Sequence, residues 1–195
     1  MSRKRVAVLI SGRGSNMAAL IEAAKDRSYP AEIVLVVSNV PAAGGLLVAE
    51  AAGIETATVD HKQFGKDRAA FEQALQAVLQ QHHIEIVCLA GFMRILTAGF
   101  VDRWRGRMLN IHPALLPAFK GLDTHKRALE AKATQHGATV HFVVAEMDSG
   151  PIVLQGAVEV RPDDTEADLA ARVLAVEHRI YPEALKMLAE GRCNL

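Results

Sequence analysis

The chain is poor in cysteine, in aromatic residues and in net charge, and each shortage excludes a class of protein. Two cysteines in 195 residues, Cys88 and Cys193, cannot build a disulfide framework. Cys88 also lies inside an apolar run, so a reducing, cytoplasmic setting is expected. Twenty-two basic residues meet 22 acidic ones, which leaves no cationic surplus for a phosphate backbone, and no nucleic-acid partner is expected. No apolar run reaches the roughly eighteen to twenty residues a membrane helix needs, so no membrane association is expected either. The histidines, His82, His83 and His136 among them, lack metal-ligand spacing with cysteines or carboxylates, and no metal is predicted. Only 14 glycines and 7 prolines are present, without linker, repeat or low-complexity tract. Half of the residues are hydrophobic, enough apolar surface to offset the ordering entropy of one globular domain over residues 1–195.

The apolar residues fall into two periods. Val6 to Ile10 is a continuous β-branched run closed by Ser11-Gly12, the mark of a strand covered on both faces. Similar runs recur at Ile33 to Val37, Ile84 to Ala90, Met108 to Ile111 and Val140 to Val144, with a weaker one from Thr56 to Val59. Helical patterns run from Ser15 through Leu20 and Ile21, and from Lys66 to Gln81 with Phe71, Leu75, Val78 and Leu79 on one side. Ile152 to Val160 reads as a late strand. Thr165 and Asp168 frame a capping box for a long final helix with Leu169, Val173, Val176 and Ile180 as its buried stripe. Pro182 should kink that helix or end its first part. The alternation predicts an α/β fold: a mostly parallel, doubly wound sheet flanked by helices, with a late antiparallel strand and a long C-terminal helix.

Several segments carry candidate chemistry. Ser11-Gly12-Arg13-Gly14-Ser15-Asn16 follows the first strand and opens a helix, where backbone N–H groups and the positive helix end suit a phosphate. Met17 replaces the third glycine of a dinucleotide fingerprint, and Ser38-Asn39 offers no acid for a ribose, so a monophosphate fits better than NAD. The plain alternative is a tight turn with Ser15 as N-cap. Asn110 and His112, two apart on a strand, share a side; an amide and an imidazole meeting there would hold an oxyanion and supply a proton. Neighbouring backbone satisfying both groups is the competing reading. Asp148, in Met147-Asp148-Ser149-Gly150-Pro151, would pair with the imidazolium if its loop reaches His112, and is otherwise an ordinary Asx-turn residue. Glu177 flanks the last helix's buried stripe and would suit neutral hydroxyls, although a solvated helix-face glutamate is the more common outcome. Gly91 to Leu96 offers aromatic, thioether and aliphatic groups for a flat ring, with core packing as the default reading. Lys66 and Arg68 would meet a carboxylate, or simply be solvated. His141 alternates into a strand as a core or supporting group.

Taken together, Val8 to Asn16, Leu89 to Leu96, Asn110 to Pro113 and Gly137 to Pro151 resemble the folate-dependent formyltransferase family, and the opening loop with Glu177 resembles its phosphoribosylglycinamide branch. The resemblance runs almost end to end. It implies that Gly14, Ser15 and Asn16 hold the phosphate of phosphoribosylglycinamide and Glu177 its ribose. It implies that Met93, Arg94, Ile95 and Leu96, with Val144 to Asp148, surround the pteridine of 10-formyltetrahydrofolate, and that Arg68 meets the glutamate tail. Asn110, His112 and Asp148 are then catalytic, in a monomer or homodimer acting in purine biosynthesis. Two positions depart from the pattern: Asp123 stands where relatives often have histidine, and Ala145 where an acid is common. The chain is too short for the extra domains of a tRNA formyltransferase or a formyl-folate hydrolase, and a non-catalytic nucleotide-binding module is the rival of a different class.

Overall fold

A computed structural model describes residues 2–195; Met1, the first residue of the expected 1–195 domain, lies outside them. Seven strands, β1 (Lys4–Ile10), β2 (Ala31–Ser38), β3 (Glu55–Thr58), β4 (Ile86–Leu89), β5 (Met108–His112), β6 (Gln135–Phe142) and β7 (Ile152–Glu159), form one sheet in the order β3-β2-β1-β4-β5-β6-β7. The pairings from β3 across to β5 are parallel. β6 is antiparallel to both β5 and β7, so it alone is reversed and β7 returns to the common direction. The helices are α1 (Ser15–Ala24), α2 (Gly44–Ala51), α3 (Arg68–Gln81), α4 (Ala98–Arg103), α5 (Thr124–Glu130) and α6 (Glu166–Ala189).

The doubly wound arrangement follows from the side-chain period of β1. Val6, Val8 and Ile10 enter one core with Met17, Leu20, Leu46, Leu169 and Leu185, from α1, α2 and α6. Ala7 and Leu9 enter the other with Phe71, Leu75 and Phe100, from α3 and α4. All five of these β1 side chains are fully buried, and full burial of a Val, Leu or Ile side chain contributes about 1.5–3 kcal/mol. A run without polar alternation is therefore what a strand between two helical layers requires.

Three expectations need correction. The strand expected at Val140 to Val144 spans Gln135–Phe142, and Val143 and Val144 lie in the following loop. The helix expected from Lys66 begins at Arg68, because the Asp67 side chain accepts from the Ala70 N–H and caps it. Of the two outcomes expected at Pro182, a kink or an end, the second does not occur, and the last helix continues to Ala189. Tertiary packing carries α6 past the missing donor: Ala184 and Leu185 are fully buried beyond Pro182. Just before it, the Tyr181 hydroxyl lies 2.9 and 3.2 Å from the Leu89 and Leu109 carbonyls. The expected capping box is present, with Asp168 accepting from Thr165 N and Thr165 Oγ1 accepting from Asp168 N.

Candidate active site

Strand order reverses direction between β1 and β4, and the loops that leave their carboxyl ends flank the crevice where open α/β sheets place ligands. A cavity of about 280 Å³ lies there, lined by Ser11 to Asn16 on one side and by Ala90, Gly91 and Met93 on the other. Gly14, at φ 73°, is the N-cap of α1, displacing Ser15 from that role, and no side chain caps the helix. Its first N–H groups remain open to an anion. The neighbouring backbone crowds Gly14: the Gly45 N–H donates to the Gly12 carbonyl at 3.0 Å, and a Cβ on Gly14 would sit 3.1 Å from Gly45 Cα. Behind the loop, Asn16 Nδ2 donates to Glu177 Oε2 at 2.6 Å. Burial pushes the Glu177 carboxyl above the usual carboxylate range, and the Asn16 bond only partly opposes this. Asn16 Oδ1 is buried without a partner.

The segment after β4 turns at Gly91, φ 72°, and is held from below by α3. Arg68 donates to the Ile95 carbonyl at 2.7 Å, and the buried Glu72 carboxylate accepts from Thr97 N at 2.6 Å. Met93 and Ile95 are left 68% and 70% exposed, Leu96 is buried, and the Arg94 guanidinium lies 5.0 Å over the Phe71 ring. Val144 lines a second hollow of about 280 Å³ with Val101, Asp102, Arg105 and Glu146. Met93 thus lines the first hollow and Val144 to Glu146 the second.

The polar cluster is centred on Asp148. Its Oδ2 accepts from Gly121 N at 2.9 Å and faces His112 Nδ1 at 3.5 Å, and its Oδ1 faces His141 Nε2 at 3.8 Å. Three of the four polar groups are close to fully buried, with side-chain exposures of 6% for His112, 9% for Asp148 and 3% for His141. Asn110 does not touch His112; it pairs across the sheet with His141, and its Nδ2 lies 3.2 Å from His141 Nε2. The protons can be assigned. His141 Nδ1 lies 2.9 Å from the Phe142 carbonyl, which only accepts, so Nδ1 carries the hydrogen. Burial lowers the His141 pKa, with Asp148 opposing. The neutral ring then turns its Nε2 lone pair to Asn110, which fixes the amide with Nδ2 towards the ring and one N–H free. His112 Nε2 donates to the Phe119 carbonyl at 2.9 Å.

His141 is thus the group that sequence reasoning placed only as core or support; its pairing with Asn110 depends on strand register, which no local motif reveals. Glu72 went unnoticed altogether, because a glutamate in a helical pattern reads as solvated. Asp123 begins α5 at φ 55° without a capping bond, and Ala145 lines the second hollow. Lys66 makes no polar contact to the cluster. Among the described residues no group of three or more His, Cys, Asp or Glu side chains is placed to hold a metal ion, and no helix is long and apolar enough to cross a membrane.

The model of the formyl transferase family matches residues 4–185, and the chain belongs to that family of enzymes. Within it, the chain is similar over nearly its whole length to phosphoribosylglycinamide formyltransferases. It is 44% identical over 190 residues to that of Escherichia coli (strain K12), covering 97% of this chain and 89% of the relative. It is 51% identical over 193 residues to the trifunctional purine biosynthetic protein adenosine-3 of Homo sapiens, of which it spans 19%. The first-matched curated relatives are thus several times longer than this chain. The solved phosphoribosylglycinamide formyltransferase of Brucella melitensis superposes with a TM-score of 0.92 at 52% identity over 96% of both chains. For glycinamide ribonucleotide transformylase 1 of Symbiobacterium toebii the TM-score is 0.95 at 43% identity, over 99% of this chain and 91% of that one.

Proposed function

We propose that the chain transfers the formyl group of 10-formyltetrahydrofolate to the primary amine of phosphoribosylglycinamide, in the cytoplasm, as a step of purine synthesis. The observation that carries this reading is the buried Asp148 carboxylate between His112 and His141, with Asn110 oriented by His141, on the same sheet edge as an uncapped helix N-terminus. Gly14, Ser15 and Asn16 present N–H groups to the phosphate. Glu177 and the unpartnered Asn16 Oδ1 are acceptors for ribose hydroxyls. The folate lies between the Met93–Leu96 segment and the Val144–Asp148 loop, with Arg68 towards its tail.

In the reaction the amine attacks the formyl carbon, and the carbonyl electrons move onto oxygen. The free N–H of Asn110 and the ring of His112 hold that oxyanion. Only an imidazolium can donate to two oxygens at once, and the His112 ring nitrogens face two, Asp148 and the Phe119 carbonyl. To grip the oxyanion, the ring exchanges one of them, and the neutral carbonyl is the weaker partner. A proton then passes from the attacking nitrogen to the folate nitrogen through Asp148 or a water it orders. The carbon–nitrogen bond to folate breaks, and tetrahydrofolate leaves.

The test is tetrahydrofolate formation from 10-formyltetrahydrofolate with and without phosphoribosylglycinamide. Release that requires the ribonucleotide is expected. Release without it would make the chain a hydrolase, and no release a binding module.

A further inference from the structure

Ser11 and Asn39 have no part in the chemistry above, yet their side chains tie together the two loops of the crevice. The opening loop follows β1, and the Gly91–Leu96 segment follows the adjacent strand β4. The last ladder bond between these strands runs from Ala90 N to Leu9 O at 2.9 Å. Beyond it, one hydrogen bond joins the two loops among the described residues: Met93 N–H donates to Ser11 Oγ at 2.8 Å.

The direction of that bond is fixed by what lies behind it. The backbone N–H can only donate, so the serine hydroxyl must send its own hydrogen elsewhere, and Asn39 Oδ1 accepts it at 2.5 Å. Asn39 is 3% exposed, and its backbone N–H bonds to Ile10 O at 3.4 Å. The acceptor is therefore held just past the carboxyl end of β2, against the end of β1. The same residue occupies the end of β2 where a dinucleotide-binding fold would carry its ribose acid. Here the position holds a loop instead of a ligand.

We propose that Ser11, backed by Asn39, is a positioning residue that couples the anion-binding loop to the donor-side segment. An anion drawn against the N–H groups of Gly14 to Asn16 shifts the loop, and the Ser11 hydroxyl transmits the shift to the Met93 backbone. Filling the acceptor subsite thereby sets the segment against which the donor rests. The inference builds on the proposed function, but its first test does not depend on it.

That test uses inorganic phosphate and the unliganded protein, with backbone amides followed by NMR. In the parent, phosphate is expected to move the amides of Gly14 to Asn16 and those of Gly91 to Leu96. In Ser11→Ala the first group still responds and the second falls silent; Ser11→Thr, which keeps the hydroxyl, restores it. The Met93 amide should also exchange with solvent faster in Ser11→Ala. A parent in which phosphate fails to move the second group, or a Ser11→Ala that still transmits, overturns the proposal. The kinetic counterpart is the ratio of donor KM at low and at saturating phosphoribosylglycinamide. Loss of a bond of this kind should move that ratio towards one by about fivefold, with kcat at saturation much less affected. Phosphate coupling without formyl transfer would leave Ser11 in its role and overturn the substrate assignment alone.

Discussion

At the level of single residues, the cluster around Asp148 gathers charge, donors and acceptors in a volume from which water is largely excluded. The proposed oxyanion role predicts that His112→Ala lowers turnover on the order of 10²–10³-fold while the far-ultraviolet circular dichroism stays native; near-parental turnover in the folded variant would remove His112 from the mechanism. Glu177 gives a pH prediction of definite sign. Its folded pKa is raised by burial, so its stabilising contribution is complete below the unfolded carboxyl range and is lost as pH rises through the folded value. Glu177→Gln should therefore be more thermostable than the parent at pH 7 and no more so at pH 4. Its KM for the ribonucleotide should rise, because the acceptor of Asn16 and of the ribose is weakened. An equal or lower melting temperature at pH 7 would reject the account. Sequence reading singled out Asp148, His112, Asn110 and Glu177 as candidates because each sits in a turn, strand end or capped helix with recognisable chemistry. It missed that Asn110 is turned to His141 and not to His112, since that contact joins residues 31 apart through strand pairing.

Among the elements, legibility followed length and apolar period. β1, β2, α3 and α6 were readable from their runs. The first half of β6 was not: His136 and Gly137 break an apolar pattern, yet Gly137 is required there, since a Cβ would fall 2.0 Å from the Gly156 carbonyl of β7. α2 begins with two glycines, which intrinsic propensity disfavours. Close approach explains the second of them. A Cβ on Gly45 would lie 2.5 Å from Ile10 Cδ1 and 3.0 Å from Gly12 O, so Gly45→Ala should cost roughly 1–3 kcal/mol in urea unfolding. It should also weaken phosphate binding more than folate binding. A neutral effect on both would show that the loop gives way freely. β6 also carries an acid-sensitive group. Burial, with the nearby His125 and His112 adding to it, pushes His136 down to about 4. Its lowered value means that its contribution is whole above about pH 6.5 and declines as pH falls towards 4. The parent's melting temperature should drop across that interval, and that of His136→Gln should drop less.

For the molecule as a whole, the sheet separates two cores that share strands but not side chains. Leu79 belongs to the layer of α3 and Leu169 to that of α6, both fully buried. Leu79→Ala and Leu169→Ala should each cost about 2–5 kcal/mol, and the double variant should equal their sum within about 0.5 kcal/mol. A larger departure in chemical denaturation would mean that the sheet transmits strain between its faces. The architecture itself, a late antiparallel strand included, was accessible from the alternation of strand and helix, whereas the assignment of the reversal to β6 was not, because direction in a sheet is a property of connections and leaves no mark in composition.

That reversal constrains which length changes the chain can survive. Facing residues on neighbouring strands share a side, and each one-residue slip inverts the side. Dropping a single residue between Gly137 and Val140, with the start of β6 held in place, would set Phe142 across from Asn110 and send the imidazole to the far layer, leaving the carboxamide with nothing to orient it. Insertions and deletions should accumulate in the peripheral turns and be purged from this hairpin, even where its side chains touch no substrate.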